Sequence, residues 1–286
     1  MTRVALITDS AACLPRHLAE EYSVNVVPLA LVLEGTVYPD QADGDNDQFY
    51  QHLRSARQPP TTASPSPGDY LETLRRAASK AEAALCITVG TRFSSSHGSA
   101  LQAAERARVE LPALQVKVID SGAAAMAQGF MVLEAARVAA AGGDLEAAAG
   151  RAEALKPRVG VIAVLDTLDY LARGGRVPRA AAWASSLLQV KPILEFSRGN
   201  VRLVTRARAH RRAQERLFAL LEERATGSEA FHLCVHHADA PEEALALAEQ
   251  ARSAVNPVEL YISEFTRVMT AHTGPGLVGF SYYRDS

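Results

Sequence analysis

Three short apolar runs, each closing on small polar residues, restrict what this chain can become. Val4-Ala5-Leu6-Ile7 leads into Thr8-Asp9-Ser10, residues 84–89 lead into Gly90-Thr91, and residues 116–119 lead into Asp120-Ser121. A continuous apolar run too short for a helix reads as a strand buried on both faces, the habit of parallel sheets. Helical patterns separate these runs: residues 15–22, 45–55 and 96–109, and an amphipathic segment between Gly68 and Ala84. Residues 24–33 are strand-like but broken by Pro28, and 35–45 read as a polar loop. Strand, helix, strand in repetition predicts a parallel sheet covered on both faces, with polar strand ends along the edge where such sheets take ligands.

The pattern then changes. Residues 123–141 and 145–155 are alanine-rich helices parted by Gly142-Gly143-Asp144, where glycine ends one helix and Asp144 caps the next. Residues 159–164 alternate as a strand, 165–172 look helical, and Arg173-Gly174-Gly175-Arg176 is a basic glycine turn. The runs 192–196 and 201–205 flank Ser197-Arg198-Gly199-Asn200 as a hairpin; 209–225 and 241–253 read as helices, and 232–236, 258–262 and 278–283 as strands. The expected class is α/β: a Rossmann-like parallel-sheet domain at 1–153, then an α+β domain at 154–286 with a mainly antiparallel sheet. A chain of 286 residues is long enough for two cores sharing a cleft.

Composition excludes more than it selects. With 48% apolar and 22% charged residues and a formal net charge of −2, no nucleic-acid partner is expected. No run approaches the ~18 apolar residues of a membrane helix and no apolar leader precedes the first strand, so the reading is a cytoplasmic protein without membrane insertion. Cys13, Cys86 and Cys234 lack zinc or redox spacing and read as buried, reduced thiols. The phosphate-loop pattern G-x-x-x-x-G-K-[ST] and the G-x-S-x-G elbow are both absent. Gly274-Pro275-Gly276-Leu277-Val278-Gly279 matches a dinucleotide fingerprint by letter only, since a strand follows it; its glycines instead let a loop pass close to another element. His236-His237 with Asp239 suggests metal ligands, but neighbours on a strand point apart, and a solvated strand end without metal is the expectation. His17, His52 and His97 read as surface or satisfied residues.

What remains is hydroxyl chemistry. Pro59-Pro60-Thr61-Thr62-Ala63-Ser64-Pro65-Ser66-Pro67 and Thr91-Arg92-Phe93-Ser94-Ser95-Ser96 are two clusters that can converge. Both clusters can cap the helices that follow, and a capped helix N-terminus with spare donors is also an anion seat. Arg206, Arg208, His210, Arg211, Arg212 and Arg216 form a basic stretch, read as a solvated helix face, a ligand-facing arginine or a docking surface for an acidic partner. A triad of Ser94, His272 and Asp9, giving an acyl hydrolase or transferase, is the enzymatic alternative.

Ile7-Thr8-Asp9-Ser10 with Leu14-Pro15, the Pro60–Pro67 segment, Val118-Ile119-Asp120-Ser121, Leu171-Ala172-Arg173-Gly174-Gly175-Arg176, Lys191-Pro192-Ile193-Leu194 and His272-Thr273-Gly274-Pro275-Gly276 resemble, in order, the signatures of the DegV family. The resemblance implies a fatty-acid-binding protein of two α/β domains, with a long-chain fatty acid as ligand and no cofactor or metal. It implies a carboxylate held by Thr62 and Ser94, supported by Thr61, Ser95, Arg208 (or Arg206) and His272. It also implies a partner, a separate fatty acid kinase that phosphorylates the presented acid for lipid synthesis; a lipid sensor is a further reading. The sequence departs from the family at Ala63-Ser64, usually Ser-Gln, and at Phe93-Ser94-Ser95-Ser96-His97, usually Leu-Ser-Gly-Thr-Tyr.

Overall fold

A computed structural model describes residues 2–40, 46–186, 190–197 and 199–285. Strand β1 (Thr2–Asp9) ends in a single 3-10 turn, α1 (Arg16–Glu21) returns the chain to β2 (Asn25–Val27), and β3 (Ala30–Leu33) and β4 (Thr36–Pro39) follow. Next come α2 (Asn46–Ser55), β5 (Thr61–Ala63), α3 (Pro67–Ala78), β6 (Ala81–Thr88), α4 (Ser96–Glu110) and β7 (Gln115–Asp120). Strands β2-β1-β6-β7 form the parallel sheet. Helix α3 starts where it does because Pro67 opens it and Ser66 with Asp69 closes a reciprocal capping box.

Two local readings change. The polar loop expected over 35–45 holds β4, paired antiparallel with β3 across Glu34-Gly35; residues 41–45 lie outside the described part. Both turn residues have positive φ, 47° and 83°, the geometry of a two-residue hairpin, and glutamate in place of the usual Asn or Asp hid it. The proline-flanked threonines become β5, which adds to β3 in a small sheet β4-β3-β5.

The rest of the chain supplies α5 (Ala125–Ala140), α6 (Leu145–Leu155), β8 (Val159–Val164), α7 (Asp169–Gly174), α8 (Ala180–Ser186), β9 (Lys191–Ser197), β10 (Asn200–Ala207), α9 (His210–Ala225), β11 (Ala230–His237), α10 (Pro241–Val255), β12 (Glu259–Glu264), α11 (Arg267–Thr273) and β13 (Val278–Asp285). The second sheet runs β10-β9-β8-β13-β11-β12, antiparallel throughout except for the β11–β12 pair joined by α10. Strand β8 is buried at every position rather than alternating. Its Val159, Val161 and Ala163 belong to one apolar cluster and Ile162 and Val164 to another, because helices cover both faces.

Helix α5 joins the two sheets. It touches β1 and β6 on one side and β8 and β13 on the other, and all its residues from 125 to 136 are buried. A helix covered on both sides belongs inside, and its alanines let both sheets approach closely, while its buried Gln128 and Glu134 find polar partners. Leu6, Ile87 and Phe130 thus share one cluster with Val161, Leu194 and Tyr283.

Candidate functional site

A cavity opens between the two sheets beside the start of α5. It encloses about 1030 Å³ of atom-free space, its open mouth included. Its walls are apolar, with Leu29 and Val89 from the first part of the chain and Val161, Leu194, Phe265 and Met269 from the second. The polar side chains of the lining are Thr62, Ser64, Ser94, Arg176 and His272, together with Thr273, whose hydroxyl donates to Met269 O at 3.0 Å. The first four also line an open groove with Ser66, Ser95 and Arg92, so this part of the lining faces solvent.

Backbone pairing fixes Thr62, because β5 lies in register with β3, Leu31 opposite Thr62. Its hydroxyl accepts a hydrogen bond from Arg176 Nη2 at 3.3 Å and shares one with His272 Nε2 at 3.0 Å. His272 lies in the last turn of α11, a helix whose cap is Thr266 and whose first turn is held by Asp40, which accepts the Val268 N–H at 2.9 Å. Ser10 donates to the same carboxylate at 2.5 Å and accepts the Leu29 N–H at 3.0 Å. Ser10 of the Asp9-Ser10 pair therefore ties the end of β1 to the histidine's helix rather than serving the cavity directly.

His272 is neutral, because burial first and the Arg176 charge second pull it down to about 4. Its Nδ1 is buried without a partner. An orphaned N–H is costlier than an orphaned lone pair, so the proton sits on Nε2 and points at Thr62. Arg176 and His272 then occupy both lone pairs of the Thr62 hydroxyl, and its single proton is left to donate into the cavity mouth. A Cβ at Gly174 would lie 2.6 Å from His272 Nδ1, so the basic glycine turn is glycine where the imidazole packs. Gly274 and Gly276, both at positive φ, pass within contact of Tyr170 and Asp166, the close approach that their sequence suggested.

The second cluster is a chain of hydroxyls. Ser64 Oγ lies 2.7 Å from Ser95 Oγ and 3.0 Å from Ser94 Oγ, which lies 3.0 Å from Ser96 Oγ and accepts the Ser96 N–H at 3.2 Å. Ser94 thus satisfies the first backbone donor of α4, whereas Ser95, the residue in the cap position, makes no side-chain cap. Hydroxyl donors without a fixed positive charge in direct contact can hold an anion and leave one of its oxygens reactive.

A relay of Ser94, His272 and Asp9 does not form. His272 turns to Thr62, and Asp9 accepts from Val89 N, Gln128 Nε2 and Tyr70 Oη at 2.9, 3.1 and 3.4 Å. His236 and His237 are not solvated, being 1% and 7% exposed. His236 accepts the Met126 N–H at the start of α5 and contacts Ser281 and Ser263, while burial drives it down to about 3. Among the described residues no cluster of His, Cys, Asp or Glu is arranged for a metal, and Cys13, Cys86 and Cys234 are buried free thiols. No helix of the described residues is long and apolar enough to cross a membrane.

The family model described as "Uncharacterised protein, DegV family" matches residues 3–285. The chain belongs to the DegV family. A DegV domain-containing protein of Streptomyces coelicolor is 37% identical over 278 residues, 96% of each chain. A solved DegV family protein from Thermus thermophilus, described by its fatty acid binding, is 33% identical with a TM-score of 0.89, covering 99% of this chain and 100% of its own. A stearic acid-binding protein from Eubacterium ventriosum is 26% identical with a TM-score of 0.90, covering 99% and 98%.

In this DegV chain the supporting residues sort by position. Arg176 is the arginine at the mouth; Arg206 and Arg208 are exposed and line none of the cavity. They precede α9, which packs through Ala213, Leu217 and Leu221 on the sheet face that carries Ile162 and Phe280, away from the cavity. Within the basic stretch His210 and Arg211 pair with Glu243 and Glu215, and Arg216 donates to Thr205 Oγ1, as on a solvated face. Thr61 is exposed and faces away, and Ser95 reaches the groove through Ser64. Two contributors were not singled out as ligand contacts by the sequence: Ser64, one hydroxyl of the first cluster, and Arg176, which stands both in the basic glycine turn and in a family signature of the second domain.

Proposed function

We propose that this protein binds a long-chain fatty acid, acyl chain in the apolar cavity and carboxylate on the Thr62 and Ser94 hydroxyls, and presents it to a separate fatty acid kinase subunit that forms the acyl phosphate. The observation that carries the reading is that Thr62, Ser64, Ser94 and Arg176, which belong to the wall of a largely apolar cavity, also line an open groove, so the cavity's main polar group faces solvent. Each methylene taken from water contributes about 0.8 kcal/mol, so a long tail supplies on the order of 10 kcal/mol before ordering costs. The carboxylate loses hydration and regains donors from the Thr62 hydroxyl, whose lone pairs Arg176 and His272 occupy, and from the Ser94 hydroxyl. Fatty acid and stearic acid binding by the Thermus and Eubacterium relatives supports the ligand class.

The carboxylate at an open mouth, and a sequence without a phosphate loop, support presentation to a partner rather than catalysis by this chain. Thr62 and Ser94 come from residues 1–153 and Arg176 and His272 from 154–286, so the proposed two-part division puts the mouth where the parts meet. Native mass spectrometry tests the ligand: one fatty acid per chain is expected, and a protein that retains none and takes up none when offered palmitic acid ends the proposal. Thr62→Ala and Ser94→Ala should each lower acid transfer to a fatty acid kinase tenfold or more, as loss of a hydrogen bond to a charged group predicts, with a much smaller loss of stability. Parallel losses of melting temperature and transfer would make both residues structural.

A further inference from the structure

The open groove outside the cavity mouth carries more positive charge than a carboxylate needs. Arg92 and Arg176 line it together with the hydroxyls of Ser64, Ser95 and Ser99, and no Asp or Glu belongs to its lining. Arg176 reaches the cavity as well, whereas Arg92 lies outside the cavity wall, and holding a fatty acid gives it no task. Among the described residues neither guanidinium pairs with a carboxylate. Arg92 donates through Nη1 to Gly199 O at 3.0 Å and to Asn200 Oδ1; Arg176 donates through Nη1 to Gly174 O at 2.9 Å and through Nη2 to Thr62. The Nε donors of both, and Nη2 of Arg92, are left over. The carboxylates beside the groove are occupied: Asp69 closes the capping box at Ser66, and Asp120 accepts from Thr91 and the Gly122 N–H.

We infer that this groove is a subsite for the phosphoryl group of an acyl phosphate, with Arg92 as the residue that separates that product from the free acid. The inference rests on the fatty-acid reading of Thr62 and Ser94. In the proposed transfer a carboxylate oxygen of the bound acid attacks the terminal phosphorus of a nucleoside triphosphate carried by the kinase. The new O–P bond forms as the bond to the nucleoside diphosphate breaks, and the electron pair leaves with the diphosphate. No proton is exchanged, and the lipid's head goes from one negative charge to two.

Three phosphoryl oxygens are thereby added next to Thr62 and Ser94, both of which line the groove as well as the cavity. Hydroxyls satisfy a monoanion, but a phosphate dianion is matched by guanidinium groups, whose forked donors bond two oxygens at once. Arg92 and Arg176 are held by neutral partners and keep their full charge for it. Helices α3 and α4 begin beside Ser66 and Ser95 of the lining, and their positive ends add to the field there. By linkage, the factor by which the protein prefers acyl phosphate over acid also shifts the transfer equilibrium on the protein toward the acyl phosphate.

The test compares two ligands of equal tail, palmitic acid and the phosphonate analogue of palmitoyl phosphate in which a methylene replaces the bridging oxygen. Their Kd values are measured on the full chain and on Arg92→Gln, an exposed position whose replacement leaves the core untouched. The wild type is expected to bind both, and Arg92→Gln to weaken the phosphonate about tenfold, as loss of a hydrogen bond to a charged group predicts, while the palmitic acid Kd stays within about twofold. Equal weakening of both ligands makes Arg92 a brace for the turn at Gly199 and overturns the subsite, as does an unchanged phosphonate Kd. Asn200→Ala removes the acceptor side chain and keeps the guanidinium; it must retain the wild-type ratio of the two Kd values, and a collapsed ratio also refutes the role of the charge. Millimolar inorganic phosphate must leave the phosphonate bound, since displacement would assign the groove to free phosphate instead. A wild type that binds palmitic acid but not the phosphonate overturns the subsite and leaves fatty-acid binding standing; one that binds neither overturns both.

Discussion

Replacing Asp9 by asparagine should favour this protein more at alkaline pH than at acid pH. Burial carries the Asp9 carboxyl from its ordinary value of 3.8 to about 6. The folded state therefore holds the proton more tightly than the unfolded chain does. Stability from this group is complete below pH 3.8 and is lost as pH rises through about 6. The full loss is about 3 kcal/mol, of which 2 to 3 kcal/mol falls between pH 4 and pH 8. Val89 N and Tyr70 Oη both address Oδ2, which the amide oxygen replaces, while the amide nitrogen takes the place of Oδ1 and meets Gln128 Nε2 donor to donor. That contact, or the loss of the Thr8 and Ile87 acceptors if Gln128 turns its amide over, is a cost of the same size at every pH and leaves the pH-dependent difference intact. Urea unfolding of both proteins at pH 4 and pH 8 measures the difference. A gap between them that is the same at both pH values would refute the burial argument.

Other expectations are smaller in scope. Gly174→Ala places a Cβ 2.6 Å from His272 Nδ1 and should cost about 1–3 kcal/mol while displacing the imidazole from Thr62, seen as a lower melting temperature together with lost lipid. Ala163→Leu adds bulk to the cavity wall on β8, and lipid extracted from it should shift to shorter chains, with unchanged chain lengths counting against the cavity as the acyl site. Glu195 is 3% exposed; although burial works against it, Arg224 and Arg202 hold its carboxyl below the ordinary value. Glu195→Ala should cost about 3 kcal/mol at neutral pH by leaving Arg224 without its buried partner, and the deficit should shrink as pH falls through the folded-state value and the wild-type carboxylate protonates.

Much of the architecture was legible because it is written in short range. Apolar runs of strand length ending at Asp9, Gly90 and Asp120 gave the parallel sheet, and the hairpin around Gly199 with alternating strands and helices gave the antiparallel one. Ser66 and Asp144 were readable as caps because a cap is a relation among four consecutive residues. Helix α11 was not readable: seven residues between a strand and a glycine turn carry too little periodicity, although it delivers His272.

The sequence by itself determined which residue types were available to the site, two hydroxyl clusters, one histidine and several arginines, and that the strands would end on polar groups. Tertiary structure alone decided which of them meet. Arg176 rather than Arg208 reaches Thr62 because α7 and its turn pack beside α11, whereas α9 covers the opposite sheet face. His236 became a buried cap for α5, and Tyr70 came to donate to Asp9, through contacts between residues 110 and 61 positions apart in the chain. Local pattern specifies which face of an element is buried, but not which other element will bury it, and a site assembled across sheets depends on the second.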